Sequence, residues 1–106
     1  MLIRSLTVVA FVSAVAAPAN AAGDVKKGEA LLTRDCSRCH SVGTTGASPR
    51  ADAPAFRTLA TRYPIESLEE ALGEGIMSGH PDMPEFKYDA DDVGAIIDYL
   101  KSIQPR

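Results

Sequence analysis

The hydrophobic residues of the chain follow a helical period, and no segment alternates between apolar and polar positions over the length of a strand. The C-terminal segment shows this best, with four apolar residues spaced three and four positions apart: Val93, Ile96, Ile97 and Leu100. Asp89 precedes them as an N-cap residue, and Pro105 lies beyond their end. A C-terminal helix is therefore predicted between Asp89 and Pro105.

Three further helices are predicted upstream, over 25–35, 56–62 and 65–76. Asp24 is the candidate N-cap of the first helix, and Pro64 separates the second helix from the third. Two segments interrupted by Gly and Pro, 41–55 and 77–88, are predicted to be loops. The fold class predicted from these patterns is a single all-α domain.

The first residues, 1–21, differ from the rest in composition. Arg4 is their only charged residue, a mainly apolar run covers 6–17, and the segment ends on Ala19-Asn20-Ala21. That order predicts a secretory signal peptide cleaved after Ala21, which leaves a domain of residues 22–106. An uncleaved membrane anchor is the alternative, but the apolar run is shorter than the about 20 residues that a spanning helix needs.

The charge balance is acidic, because the 106 residues include 14 Asp and Glu against 11 Lys and Arg, for a net charge of −3. Removal of the predicted signal peptide takes away one basic residue, Arg4, and no acidic one. Sequence-independent nucleic-acid binding needs clustered basic residues and is therefore excluded as a function. The 2 Cys also exclude a scaffold of several disulfides, which leaves a small domain with few apolar residues for its core.

The residues that carry chemistry lie at the end of the first predicted helix, in Cys36-Ser37-Arg38-Cys39-His40. This C-x-x-C-H spacing is the attachment signature of c-type haem. Two cysteines three positions apart lie about one helical turn from each other, so both sulfurs can reach one edge of a porphyrin. His40 then lies under the iron and can supply an axial imidazole ligand. The predicted cofactor is one covalently bound haem c.

Three other interpretations of these residues remain open. The pattern can occur by chance. The two cysteines can form a redox-active dithiol, although that chemistry accompanies a βαβ unit that the sequence does not show. The motif can also bind zinc, which needs four ligands, and only His80 remains as a further nitrogen or thiolate donor. Haem attachment is favoured because it agrees with the predicted export.

With this motif and this order of helices, the sequence resembles a small class I cytochrome c. The resemblance covers 22–106: a helix running into the C-x-x-C-H motif, a middle helix, a Met-Pro loop and a C-terminal helix. It implies a cytochrome c-like fold, in which three to four short helices pack around one covalently attached haem. It also implies a periplasmic electron carrier rather than an enzyme. Its partners would be redox proteins, such as a dehydrogenase, an oxidase or a reductase, that approach the exposed haem edge.

The resemblance further implies a second axial ligand, a methionine placed directly before a proline. Met83 matches because Pro84 follows it, whereas Met77 continues the period of the preceding helix and is predicted to be a core residue. A thioether opposite an imidazole closes the iron on both sides and raises its potential relative to two imidazoles. His80 is the competing ligand, since neutral imidazole binds iron and His80 lies close to Met83 in the sequence.

A proline carbonyl that accepts the ring N–H of the axial histidine is another feature that the resemblance implies. Pro54 is the candidate for His40, although Ala53 stands where relatives usually have glycine. Pro49 is the second candidate.

Gly28 resembles the small residue that lets the first and last helices cross closely, against Ile96 and Tyr99. The candidates for contacts with the haem propionates are Arg57, Arg62 and Tyr63.

Two functional classes besides a free carrier stay open. The same haem chemistry could serve a subunit dedicated to one oxidoreductase complex, whereas a free carrier is expected to be a monomer. If Met83 does not bind the iron, the chain could instead be a ligand-binding or peroxidase-like haem protein.

Overall fold

The protein is described from a computed structural model, which covers residues 2–3, 5, 7–15, 21–75 and 82–106. Within these ranges the regular structure is helical and contains no strand. The described residues form three α-helices and two 3₁₀ helices: α1 at Ala21–Cys36, 3₁₀ helices at Phe56–Thr61 and Ile65–Ser67, α2 at Leu68–Glu74, and α3 at Ala90–Ser102. The prediction of an all-α fold is confirmed.

Helix α1 begins earlier than predicted, at Ala21 rather than Val25. Asp24 therefore lies in the first turn of the helix, and its prediction as the N-cap is wrong. The alanines ahead of it favour helix, and an acidic side chain in the first turn still interacts favourably with the helix dipole.

Helix α3 begins as its sequence predicts. Asp89 has extended backbone angles, and its Oδ1 accepts the main-chain N–H of Asp92 at 2.9 Å, so it caps the helix. Asp91 and Asp92 lie in the first turn and Lys101 in the last, where each sign of charge is favoured by the helix dipole.

Helices α1 and α3 cross at Gly28. A Cβ built on Gly28 would overlap the main-chain carbonyl of Ala95 and would lie 2.9 Å from the Cβ of Tyr99. The predicted role of Gly28 and its contact with Tyr99 are confirmed, while the nearest main-chain atoms belong to Ala95 rather than Ile96. At the same crossing the Tyr99 hydroxyl donates to the carbonyl of Val42 at 2.7 Å, which ties α3 to the loop after the attachment motif.

The middle of the chain forms shorter helices than predicted. The helix predicted over 56–62 is a 3₁₀ helix, and the one predicted over 65–76 divides into a 3₁₀ turn followed by α2. Gly75 ends α2 with φ +114°, a left-handed angle that favours glycine. Ile76 lies outside the described residues.

The buried core is formed from α1, α3 and the short helices between them. Its most buried members include Leu32, Leu59, Ile65, Leu72, Ile96 and Leu100. Apolar side chains described in the N-terminal segment are exposed instead, such as Phe11 at 94%. No helix in the described ranges is long and apolar enough to cross a membrane.

Candidate cofactor site

A cavity of about 530 Å³ opens between the helices. Its wall is mainly apolar and includes Leu32, Phe56, Leu59, Leu72, Ile96 and Leu100. Several of these are also the most buried residues of the core, so the cavity lies where a domain of this size would otherwise pack side chains. Its volume falls within the about 300–1,000 Å³ typical of sites for small molecules and cofactors.

The C-x-x-C-H motif continues α1 into one wall of this cavity. The main-chain N–H groups of Cys39 and His40 donate to the carbonyl of Cys36, at 3.2 and 2.9 Å. This turn brings both half-buried thiols and the imidazole to the same space, and neither thiol is in a disulfide. The structure thus brings together the three residues of the predicted attachment motif.

Burial of the Cys36 thiol raises its pKa and favours its protonated form. Burial, with smaller contributions from Asp35 and Cys39, brings this pKa to about 11. Redox-active dithiols depend on the opposite shift, a lowered thiol pKa at one of the two cysteines. Nor do the described residues include a group of three His, Cys, Asp or Glu side chains placed to share a metal ion. The dithiol interpretation therefore gains no support, while His80, the further donor that the zinc interpretation needs, lies outside the described residues.

His40 is held in one orientation. Its Nδ1 lies 2.8 Å from the carbonyl oxygen of Pro54, which can only accept, so Nδ1 carries the proton and donates it. The ring also stacks on Phe56, with centroids 4.7 Å apart and planes 28° from parallel. The lone pair is therefore on Nε2, the nitrogen available to a metal. The contact predicted for Pro54 is confirmed.

The loop after the motif is ordered by hydrogen bonds to Ser41. Its carbonyl accepts from the N–H of Phe56 at 3.0 Å, and its N–H donates to Ser48 Oγ at 3.0 Å. Arg57 donates to Ser41 Oγ at 2.9 Å and to the carbonyl of Gly46 at 2.7 Å. Arg57 thus holds the loop that presents Pro54.

Of the three candidates for propionate contacts, only Tyr63 lines the cavity. The structure places Arg57 in the Ser41 network, and Arg62 is not among the lining residues.

Met83 and Pro84 line the same cavity as the attachment motif, and Met83 is half-buried. The loop therefore brings a thioether to the space that His40 faces. Met77 and His80 lie outside the described residues.

Charged side chains at the cavity are the feature that the sequence analysis missed. Three arginines and three aspartates line it: Arg34, Arg38, Arg50, Asp35, Asp52 and Asp82. Arg50 pairs with Asp52 at 2.8 Å and with Asp82 at 3.0 Å. The second pair joins residues 32 positions apart, so no local pattern could have indicated it.

Asp35 links the helix that carries the motif to the segment after Met83. Arg34 donates to both of its oxygens at 2.8 Å, and the Tyr88 hydroxyl donates to Oδ2 at 2.8 Å. The Arg34 guanidinium lowers the pKa of the Asp35 carboxyl, while burial, aided by Asp35, raises the pKa of Tyr88. The phenol therefore keeps its proton and remains a donor to a carboxylate.

The arrangement of Cys36, Cys39 and His40 around an apolar cavity defines a protein that holds haem covalently. Comparison with known proteins gives its family. The family described as Cytochrome c matches residues 25–104, and the chain belongs to it.

Two known proteins that are similar to this chain are also named as cytochromes c. Cytochrome c-552 of Bradyrhizobium diazoefficiens is 34% identical over 84 residues, which cover 79% of this chain and 79% of the relative. Cytochrome c6 of Picosynechococcus sp. is 34% identical over 90 residues, which cover 81% of this chain and 76% of the relative. No solved structure gives a significant match.

The protein is an electron-transfer haem protein with one covalently bound haem c, and Cys36 and Cys39 fit the C-x-x-C-H motif of its family. The site fits that group: the two thiols lie about one turn apart, Nε2 of His40 is available, and the wall is mainly apolar. Electron transfer also implies redox partners in general.

Proposed function

We propose that the chain is an exported carrier of single electrons, with the haem linked to Cys36 and Cys39 and the iron held between His40 and Met83. The observation that carries this proposal is the His40–Pro54 hydrogen bond of 2.8 Å, beside a cavity that Met83 also lines. An imidazole fixed through Nδ1 offers Nε2 as a ligand, and a thioether is the partner that favours a high potential.

Each residue has a separate part in this function. The thiols of Cys36 and Cys39 anchor the cofactor, and the apolar wall keeps water from it. When bound, the haem supplies a couple between ferrous and ferric iron. His40 and Met83 would hold the iron in either oxidation state, which would leave it no open position for a substrate. The protein therefore passes electrons without a reaction of its own.

Electrons would pass to redox proteins at the open edge of the cavity. Cys39 and Met83 are only partly buried there, so a partner can come close to the cofactor. Small interfaces and charge steering are typical of such short-lived docking. A monomeric free carrier is proposed, and stable co-purification with one oxidoreductase would assign the chain to a complex instead.

Export to the periplasm is part of the proposal, with residues 1–21 as a signal peptide and 22–106 as the haem domain. The exposed apolar side chains described before α1 support it, because they contribute nothing to the core. The mass of the haem protein purified from the periplasm tests it. A chain starting within a few residues of Ala22 is expected, and an intact N-terminus would contradict cleavage.

The visible spectrum of the ferric protein tests the axial ligands. The wild type is expected to show the weak sulfur-to-iron charge-transfer band in the far red. Met83→Ala should keep the haem attached, lose that band and bind exogenous ligands. Met77→Leu is the matched control and should retain the band. A Met83→Ala spectrum equal to the wild type would overturn the assignment, and loss of the native spectrum in His80→Ala would point to the competing imidazole.

A further inference from the structure

Arg50 connects three segments that border the cavity. Its main-chain N–H donates to the carbonyl of Cys39 at 3.1 Å, and its own carbonyl accepts the N–H of Ala53 at 3.1 Å. Its guanidinium donates to Asp52 at 2.8 Å and to Asp82 at 3.0 Å. The Arg50 side chain is 36% exposed, so these contacts lie at the rim of the cavity, which Arg50 itself lines.

The two aspartates differ in what they join. Asp52 belongs to the same loop as Arg50, so that pair fixes the guanidinium locally. Asp82 directly precedes Met83, so the second pair joins the loop that orients His40 to the segment that carries the sulfur. The far end of this segment is fixed separately, by the hydrogen bond from Tyr88 to Asp35.

We propose that Arg50 is a positioning residue for Met83. Through Asp82 it holds the Met83 segment at the cavity, and so it sets how readily the sulfur leaves the iron. This inference rests on the proposed function, because it has meaning only where Met83 is an axial ligand.

Competition with an added ligand measures this effect. Imidazole binds the iron only in the fraction of molecules whose sulfur has left, so its apparent affinity rises in proportion to that fraction. An ion pair between partly exposed side chains contributes up to about 1 kcal/mol, which corresponds to a factor of about five. Salt screens such an ion pair, so high ionic strength should raise the imidazole affinity of the wild type toward that of a variant without the pair.

The experiment is an imidazole titration of the ferric haem protein, followed through the sulfur–iron band. Arg50→Ala and Asp82→Asn are each expected to bind imidazole more tightly than the wild type, by up to about fivefold. The effects of the two substitutions should not add in the double variant, because each of them removes the Arg50–Asp82 pair. Arg50→Lys keeps the positive charge, so its imidazole affinity should lie between those of Arg50→Ala and the wild type.

Lys101→Ala is the matched control, since it removes an ion pair of 2.8 Å with Glu66, and neither residue lines the cavity. It should leave the imidazole affinity unchanged. If the wild type shows the sulfur–iron band and the Arg50 and Asp82 variants bind imidazole as it does, the positioning role is wrong and the proposed function stands. The positioning role is also wrong if the Arg50 and Asp82 variants melt at lower temperatures but bind imidazole with the affinity of the wild type. A wild type without the band, with an affinity that Met83→Ala does not alter, would overturn the proposed function itself.

Discussion

Substitution of Gly28 by alanine probes the tightest contact of the fold. The added Cβ would overlap the carbonyl oxygen of Ala95 and lie 2.9 Å from the Cβ of Tyr99, whereas ordinary contacts begin at 3.4 Å. The obstacle is main chain, so α1 and α3 must move apart. Overpacking costs up to about 3 kcal/mol. The better helix propensity of alanine offsets about 1 kcal/mol of this, which leaves a net loss of up to about 2 kcal/mol.

Thermal unfolding of the haem protein, followed by circular dichroism, measures this loss. For a domain of this size, it corresponds to a fall in Tm of up to about 16 °C. The matched control is Gly94→Ala on α3, where an added Cβ meets no atom within 4 Å. That substitution should raise the stability by up to about 1 kcal/mol. A Gly28→Ala protein as stable as the wild type would refute the crossing geometry.

Helix capping, the Tyr88 hydrogen bond and the cofactor each give a further prediction. Asp89→Ala should lower the free energy of unfolding in urea by about 1 kcal/mol, while Asp89→Asn, an equally good cap, should leave it unchanged; equal losses would contradict capping. Tyr88→Phe removes a hydrogen bond to the Asp35 carboxylate and should cost about 1.5 kcal/mol in the same assay, and no loss would show that the bond is not formed in solution. The double variant Cys36→Ala/Cys39→Ala, purified without haem, should be largely unfolded by far-ultraviolet circular dichroism, and a native-like helical spectrum would contradict a cofactor-dependent core.

The fold is expected to depend on the cofactor because the same side chains form the core and the wall of the cavity. The helices surround a cavity of about 530 Å³, and Leu32, Leu72 and Ile96 belong both to its wall and to the core. Without a bound group, the cavity beside these side chains would stay unfilled, because the helices around it are short. The scarcity of apolar residues in the sequence is therefore explained by a cofactor that completes the core.

Features fixed by neighbouring residues could be predicted from the sequence. The start of α3 depends on one side chain, Asp89, and on an N–H three positions away, so the local pattern contains all the information needed. The attachment motif is equally local. Pro54 and Gly28 became predictable only through the resemblance, because their partners are distant in the sequence.

Features that depend on tertiary contacts could not be predicted. The helix expected over 65–76 divides into a 3₁₀ turn and α2, although its apolar period continues across the division. Arg57 was expected at the cofactor, but hydrogen bonds to Ser41 and Gly46 take it into the loop. The Arg50–Asp82 pair joins two loops, and loop sequences have no period from which such a contact could be inferred.

A redox titration of the purified haem protein, followed by its absorbance, tests the central claim most directly. We expect a single one-electron step, a sulfur–iron band that is present in the ferric form and disappears on reduction, and a ferrous form that binds carbon monoxide only slowly. A ferric spectrum without that band, together with rapid carbon monoxide binding to the ferrous protein, would contradict ligation by Met83 and the role of the protein as an electron carrier.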